Sequence, residues 1–123
     1  MLIDSDVLIA HLRGVDRARD FLLAQRRRGP LYASAVSLAE VTGGMRSAER
    51  AAVWRLLASL IITPVTERIA LRAGEFARTF RRSHRAIGIV DYLIAGTAAE
   101  LGLSLATLNV RHYPMFDDLE AAF

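Results

Sequence analysis

Apolar and polar positions alternate in blocks along the chain, and the spacing inside each block predicts a strand or a helix. Four short apolar runs predict strands: "MLIDS", "PLYASAV", "IITPV" and "LSLATL". Helical spacing fills the segments between them: "DVLIAHLRG", "DRARDFLLAQRRRG", "SLAEVTGGM", "SAERAAVWRLLASL" and "VDYLIAGTAAELG". The clearest amphipathic helix is predicted over residues 67–83, where the apolar positions are Ile69, Ala73, Phe76, Ala77 and Phe80.

Short apolar strands that alternate with helices are typical of an α/β fold. The pattern predicts a three-layer α/β/α sandwich with a mainly parallel central sheet. The sequence contains no linker, internal repeat or low-complexity tract, so residues 1–123 are predicted to form a single domain. No run approaches the roughly 20 apolar residues of a membrane span, and we expect no membrane association.

Composition narrows the chemistry that is available to this fold. The chain has no cysteine, which excludes disulfides and thiolate metal sites and is typical of a cytoplasmic protein. All sixteen basic residues are arginine, so mechanisms that need a catalytic lysine are excluded. Arginine binds phosphate in a bidentate manner, and clusters such as "RTFRRSHR" suggest a nucleic-acid contact, although such runs also occur on solvated helix ends.

Most of the thirteen acidic residues alternate with arginines or lie on polar helix faces, but Asp4, Glu40 and Asp91 do not. Each has a structural alternative. Asp4 could cap the first helix, Glu40 follows Ser37 at capping-box spacing, and Asp91 lies near a helix start. On a helical wheel, however, Asp91 shares its face with apolar residues and is predicted to point inward.

Parallel sheets bind ligands outside the carboxyl ends of their strands, where Asp4, Thr107 and Asn109 are predicted to lie. If the three acids converge there, their mutual repulsion is relieved by a divalent cation. Oxygen ligands without cysteine or a histidine pair favour Mg²⁺, with Mn²⁺ as the related choice. This arrangement predicts hydrolysis of a phosphate ester by metal-activated water.

The motifs "LIDSDVLI", "SAVSLAEVTGG" and "IVDYLIAGTAAELGLSLATLNVRHY", in this order, resemble a PIN-domain nuclease of the VapC type. The resemblance covers essentially the whole chain. It implies an Mg²⁺-dependent endoribonuclease that acts as the toxin of a toxin–antitoxin pair. It also implies that Asp4, Glu40 and Asp91 coordinate the metal and are catalytic, with Ser5 and Thr107 as supporting polar groups.

One departure from the family pattern concerns metal number. Many members carry a fourth acid two positions after the threonine of the last motif, where this chain has Asn109. Asparagine can ligate a metal or orient water but adds no charge, and the nearby Asp6 could partly compensate unless it is only a first-turn helix residue. His112 could contact a scissile phosphate, but a surface or packing role is predicted for it, and a packing role is predicted for Tyr92.

The resemblance also implies partners: a cognate antitoxin, an RNA substrate and a second copy in a homodimer. The arginines expected to grip the RNA backbone are Arg81, Arg82 and Arg111. Two alternatives stay open. One is a catalytically decayed PIN-like binding module, which Asn109 would suit. The other is a haloacid dehalogenase-type phosphatase, for which the required lysine is missing.

Overall fold

A four-stranded sheet forms the centre of the fold in a computed structural model that describes residues 1–123. The first half of the chain supplies three strands and four helices: β1 (Leu2–Ile3), α1 (Ser5–Leu12), α2 (Asp16–Arg28), β2 (Tyr32–Ser34), α3 (Ala35–Gly43), α4 (Arg50–Ala58) and β3 (Ile61–Thr63). The second half supplies α5 (Glu67–Phe80), α6 (Ile89–Leu101) and β4 (Leu105–Ala106). Two short 3₁₀ turns span Ser47–Glu49 and Val110–His112.

The strand order is β3-β2-β1-β4, and every neighbouring pair is parallel. The chain therefore builds the sheet outward from β1 in one direction and then returns to add β4 on the other side. β1 and β4 are paired through Leu2 with Leu105 and Ile3 with Ala106. Because the winding direction reverses between these two strands, a crevice is expected at their carboxyl ends, beside Asp4 and Thr107.

Alternate residues of the central strands enter two different hydrophobic clusters. Ile3 and Ala106 pack with residues of α1–α4 on one face, whereas Leu2 and Leu105 pack with α6 on the other. This separation follows from the two-residue period of a strand, which sends successive side chains to opposite faces. The prediction of a three-layer α/β/α sandwich is confirmed, and its sheet is wholly parallel.

Helices α5 and α6 approach each other closely at Gly96. A Cβ atom built on Gly96 would lie 2.8 Å from the carbonyl oxygen of Ile69 and 3.1 Å from the amide nitrogen of Ala73. Only glycine leaves room for this backbone contact. The contact fixes α6, the helix that carries Asp91.

Several element boundaries differ from the prediction. The strand predicted as "PLYASAV" ends at Ser34, because Ser34 is the N-cap of α3 and its hydroxyl accepts from the amide of Val36. The amphipathic helix ends at Phe80 rather than at residue 83, and β4 has only two residues. None of the helices is both long enough and apolar enough to span a lipid bilayer.

Candidate active site

Asp4 lies directly after β1 and is almost completely buried, with 6% of its surface exposed. It is the N-cap of α1, and its Oδ1 atom accepts a 2.8 Å hydrogen bond from the amide of Ser5. Its Oδ2 atom accepts from the hydroxyls of Thr107, at 3.0 Å, and Tyr113, at 2.6 Å. The capping alternative is thus confirmed, but the cap uses only one of the two carboxylate oxygens.

The surroundings of Asp4 oppose its ionisation. Burial raises the pKa of Asp4, and the negative charge of Asp91 raises it further, while the three hydrogen bonds from Tyr113, Thr107 and Ser5 lower it. The net direction is upward, which is expected when a carboxylate is removed from water without a neighbouring cation. Asp91 is therefore near enough for its charge to act on Asp4.

Asp6 joins the same crevice through Thr107. Its Oδ2 atom accepts from the Thr107 hydroxyl at 3.2 Å and from the amide of Leu108 at 2.9 Å, while its Oδ1 atom is buried without a partner. Burial and the charge of Asp4 raise the pKa of Asp6. Asp6 is a first-turn residue of α1, but it also faces the end of β4, so its role is more than that of a helix-start residue.

Glu40 lies on α3 and is exposed, and the hydroxyl of Ser5 donates to its Oε1 atom at 2.8 Å. Ser5 therefore connects Glu40 to Asp4. The capping-box alternative for Glu40 is wrong, because α3 begins at Ala35 and is capped by Ser34. Ser37 lies inside the helix, so it cannot cap it.

Asp91 occupies the first turn of α6. It was predicted to point inward among apolar residues, but its side chain is not buried. Its side chain is 24% exposed, whereas Ile94, Ala95 and Ala98 of the same helix are buried. The helical wheel erred because it treats every turn as equally covered, whereas the first turn of α6 is more exposed than the turns that carry these three residues. Asp91 accepts a 2.9 Å hydrogen bond from Nδ1 of His112 and a 3.4 Å bond from the amide of Gly88.

Tyr113 is the site residue that sequence reasoning missed, and His112 was considered only for a contact with phosphate. Tyr113 is fully buried and bonds Asp4, and His112 contacts Asp91, so the predicted surface or packing role for His112 is wrong. Both lie in the motif "LATLNVRHY", at the end of the resemblance. Their polar side chains beside Thr107 and Asn109 were the available signal. Tyr92, by contrast, packs in a buried cluster with Ala73 and Ile87, as predicted.

Of the remaining predicted residues, Asn109 contacts residues of the site. Asn109 is exposed, its amide N–H donates to the Thr107 hydroxyl at 3.0 Å, and its side chain is 3.0 Å from His112. Arg111 is exposed on the 3₁₀ turn beside His112. Arg81 and Arg82 are exposed in the loop that leads from α5 to α6 and to Asp91.

The donor chemistry of this crevice suits a hard divalent cation. The donors are carboxylate oxygens, and one of them, Oδ1 of Asp6, is buried without a partner. No group of three or more histidine, aspartate or glutamate side chains is placed to hold a metal ion jointly. Mg²⁺, however, is commonly bound through one or two carboxylates and several waters, so Asp4 and Asp91 are a sufficient pair to consider.

Comparison with known families agrees with this geometry. The model of the PIN domain family matches residues 1–116, which include all the acids described above. The chain belongs to the PIN domain family. A PIN domain is not a haloacid dehalogenase domain, so the phosphatase alternative has no further support.

Two relatives of this PIN domain are VapC proteins from Mycobacterium tuberculosis. The chain is 61% identical to Ribonuclease VapC10 over 123 residues, which cover 100% of this chain and 92% of the relative. It is 42% identical to Ribonuclease VapC19, over 99% of this chain and 98% of the relative. At these identities and coverages the chain is a VapC-type member of the PIN family.

A solved structure shows the same fold at lower identity. The chain matches VapBC2 from Rickettsia felis, crystallised with a DNA fragment from its promoter, with a TM-score of 0.83 and 18% identity. The match covers 98% of this chain and 95% of that chain. The α/β/α architecture of this PIN domain is thus shared with a known structure.

Proposed function

We propose that this protein is an endoribonuclease that hydrolyses phosphodiester bonds in RNA with the help of Mg²⁺ and acts as the toxin of a toxin–antitoxin pair. The single observation that carries the proposal is the placement of Asp4. This buried carboxylate lies at the point where the sheet reverses its winding direction, with Asp91 near enough to raise its pKa. A cation is the partner that such a pair of acids lacks.

Asp4 and Asp91 would hold Mg²⁺ or Mn²⁺, directly or through water, and Glu40 would complete the site. A bound divalent cation supplies an activated water and screens the charge that develops on the phosphate. Ser5 links Asp4 and Glu40, because it donates its amide N–H to Asp4 and its hydroxyl to Glu40. The single hydroxyl of Thr107 lies within hydrogen-bond distance of carboxylate oxygens of both Asp4 and Asp6.

Glu40 is placed to act on water. It is the most exposed of the three acids, and one of its two oxygens is held by Ser5, so the other is available to accept a proton from an attacking water. Asn109 is exposed at the rim and could orient a bound water through its amide. Because Asn109 adds no charge, we propose one metal ion rather than two.

The RNA backbone would be bound by Arg81, Arg82 and Arg111. All three are exposed, and none is among the arginines that form ion pairs, which are Arg19, Arg46, Arg68 and Arg72. Free guanidinium groups can bind phosphates in a bidentate manner. Binding through such groups loses affinity as salt rises, because counterions are released.

The proposal of a toxin is supported by what the structural neighbours are called. One is a toxin–antitoxin complex from Klebsiella pneumoniae, with a TM-score of 0.82 and 20% identity, and another is the VapBC2 complex. We therefore propose a small antitoxin protein as a partner, which binds a homodimer of this chain. We also propose the cytoplasm as the compartment. Cysteine-free composition suits that compartment.

Cleavage of RNA by the Asp91→Asn variant tests the proposal. Asparagine keeps the shape of Asp91 and removes its charge. Loss of a group that only hydrogen-bonds to a metal ligand commonly costs 10–100-fold in activity, so we expect loss of the ligand charge to lower Mg²⁺-dependent cleavage of total RNA more than about 100-fold. The matched control is Asp117→Asn, which changes an exposed acid of the C-terminal segment. Full cleavage by Asp91→Asn with Mg²⁺ present would reject the proposed mechanism.

A decayed PIN-like binding module is the second candidate, favoured by the uncharged Asn109. It is distinguished by isothermal titration calorimetry with Mn²⁺. A decayed site shows no stoichiometric binding, whereas the proposed nuclease binds Mn²⁺ and loses it on Asp91→Asn substitution.

A further inference from the structure

We propose that His112 is a positioning residue that fixes the carboxylate of Asp91 at the edge of the crevice. Nδ1 of His112 lies 2.9 Å from Oδ2 of Asp91, and the two side chains are equally half-buried, at 25% and 24% exposure. No other side chain bonds Asp91; its remaining contact is the 3.4 Å bond from the amide of Gly88. This inference rests on the proposed function, in which Asp91 is a metal ligand.

The donor and acceptor roles of His112, Asp91 and Asn109 follow from the number of hydrogens and lone pairs on each atom. A carboxylate oxygen only accepts, so Nδ1 of His112 must carry the proton that is shared with Asp91. The amide nitrogen Nδ2 of Asn109 lies 3.0 Å from the same Nδ1 atom. Because Nδ1 then carries a hydrogen and has no free lone pair, Nδ2 of Asn109 cannot donate to it. The hydrogen on Nδ1 is therefore donated to Asp91.

The backbone around His112 is itself anchored to the acids on the other side of the crevice. The amide of His112 donates to the carbonyl of Asn109, at 3.0 Å, within the 3₁₀ turn. The amide of Asn109 donates to the hydroxyl of Thr107. Tyr113, which follows His112 in the chain, is fully buried and donates to Asp4. One short segment therefore contacts both proposed metal ligands, with His112 on Asp91 and Tyr113 on Asp4.

Asp91 needs such a partner because of where it lies. In the first turn of α6, at the exposed edge of the sheet, a free aspartate side chain would sample several rotamers. A metal site pays the entropy of ordering each ligand, and groups that orient ligands commonly contribute 10–100-fold to metal affinity. His112 orders Asp91 before the metal arrives.

Calorimetric titration of the full-length protein with Mn²⁺ tests the inference, using His112→Ala and His112→Asn. The alanine variant removes the donor, and we expect its Mn²⁺ affinity to fall about 10–100-fold. The asparagine variant places an amide N–H where Nδ1 was, and we expect most of the affinity to return. His84→Ala is the matched control, since the side chain of His84 hydrogen-bonds only to its exposed neighbour Ser83.

The outcomes separate this inference from the proposed function. If His112→Ala binds Mn²⁺ like the wild type, or if His112→Asn is as weak as His112→Ala, then His112 does not position Asp91 through its N–H. If instead the wild type binds no Mn²⁺ and Asp91→Asn still cleaves RNA, the proposed function itself is wrong. Thermal melts in EDTA confirm that each variant is folded, so that a loss of affinity reports on the site.

Discussion

The hydroxyl of Tyr113 donates a 2.6 Å hydrogen bond to Oδ2 of Asp4, and the two residues are 109 positions apart in the chain. Tyr113 is fully buried, and burial together with the charge of Asp4 raises the pKa of its phenol. The phenol therefore remains a donor across the working pH range. This bond ties the segment after β4 to the N-cap of α1.

Removing this hydroxyl should destabilise the protein. Tyr113→Phe keeps the ring, which packs beside Phe116, but leaves a buried carboxylate with one donor fewer. We expect a loss of about 1–3 kcal/mol in the free energy of unfolding, measured by urea denaturation. Tyr92→Phe is the matched control, because the Tyr92 hydroxyl is buried without any partner. The control should be neutral or stabilising, and equal losses in both variants would contradict the assignment.

Stability in metal-free buffer should fall as the pH rises. The pKa of Asp4 in the folded protein lies above its ordinary value of 3.8, so the native state binds more protons than the unfolded state between these two values. Stability is then lost as pH increases through the folded pKa. Denaturation in EDTA from acidic to neutral pH measures this slope.

Two variants assign the slope to its source. Asp4→Asn and Asp6→Asn should each flatten it, because the pKa of Asp6 is also raised, by burial and by Asp4. Asp117→Asn, at an exposed position, should leave it unchanged. A slope that survives both substitutions within the crevice would show that other groups cause it.

Divalent cations should stabilise the fold if the site binds them. A ligand that binds only the native state adds about 2.7 kcal/mol at a free concentration 100 times its Kd. We expect the melting temperature to rise with added Mn²⁺ in the wild type and to stay constant in Asp91→Asn. An identical rise in both proteins would place the binding elsewhere on the molecule.

The glycine between α5 and α6 should be sensitive to a single methyl group. Gly96→Ala would bring its Cβ within 2.8 Å of the Ile69 carbonyl, and we expect a loss of about 1–3 kcal/mol. Gly74→Ala is the control, since Gly74 is an exposed residue of α5 with open space around it. That substitution should stabilise by about 0.4–1 kcal/mol through the unfolded chain. Chemical denaturation of the two variants makes the comparison.

The salt dependence of RNA affinity should show whether Arg111 binds the RNA backbone. Arg111→Ala should weaken binding in EDTA, where cleavage is suppressed, and lower the slope of log K against log salt by about 0.7. Arg27→Ala is the comparison, because Arg27 lies at the end of α2, before β2, and so towards the amino ends of the strands, opposite the acids. If only Arg27→Ala reduced the salt slope, the RNA would bind at the amino ends of the strands instead.

Much of the fold could be predicted because its signals are local. The period of the apolar positions shows which segments are strands and which are helices, and their alternation leads to a parallel sheet. Element ends were less well predicted, because a cap such as Ser34 depends on backbone geometry that the pattern does not contain. The order of the motifs was enough to indicate the PIN family and the three acids.

Only the tertiary structure decided how those acids are held. Placing β4 beside β1 brings Thr107 and Tyr113 to Asp4, and the turn that follows brings His112 to Asp91. It also showed that Asp4 is the buried carboxylate and Asp91 the half-exposed one, the reverse of what the apolar surroundings of Asp91 suggested. The physical reason is that the sequence sets the residue types and their local periods. Burial and hydrogen-bond partners depend on which distant segments the sheet brings together.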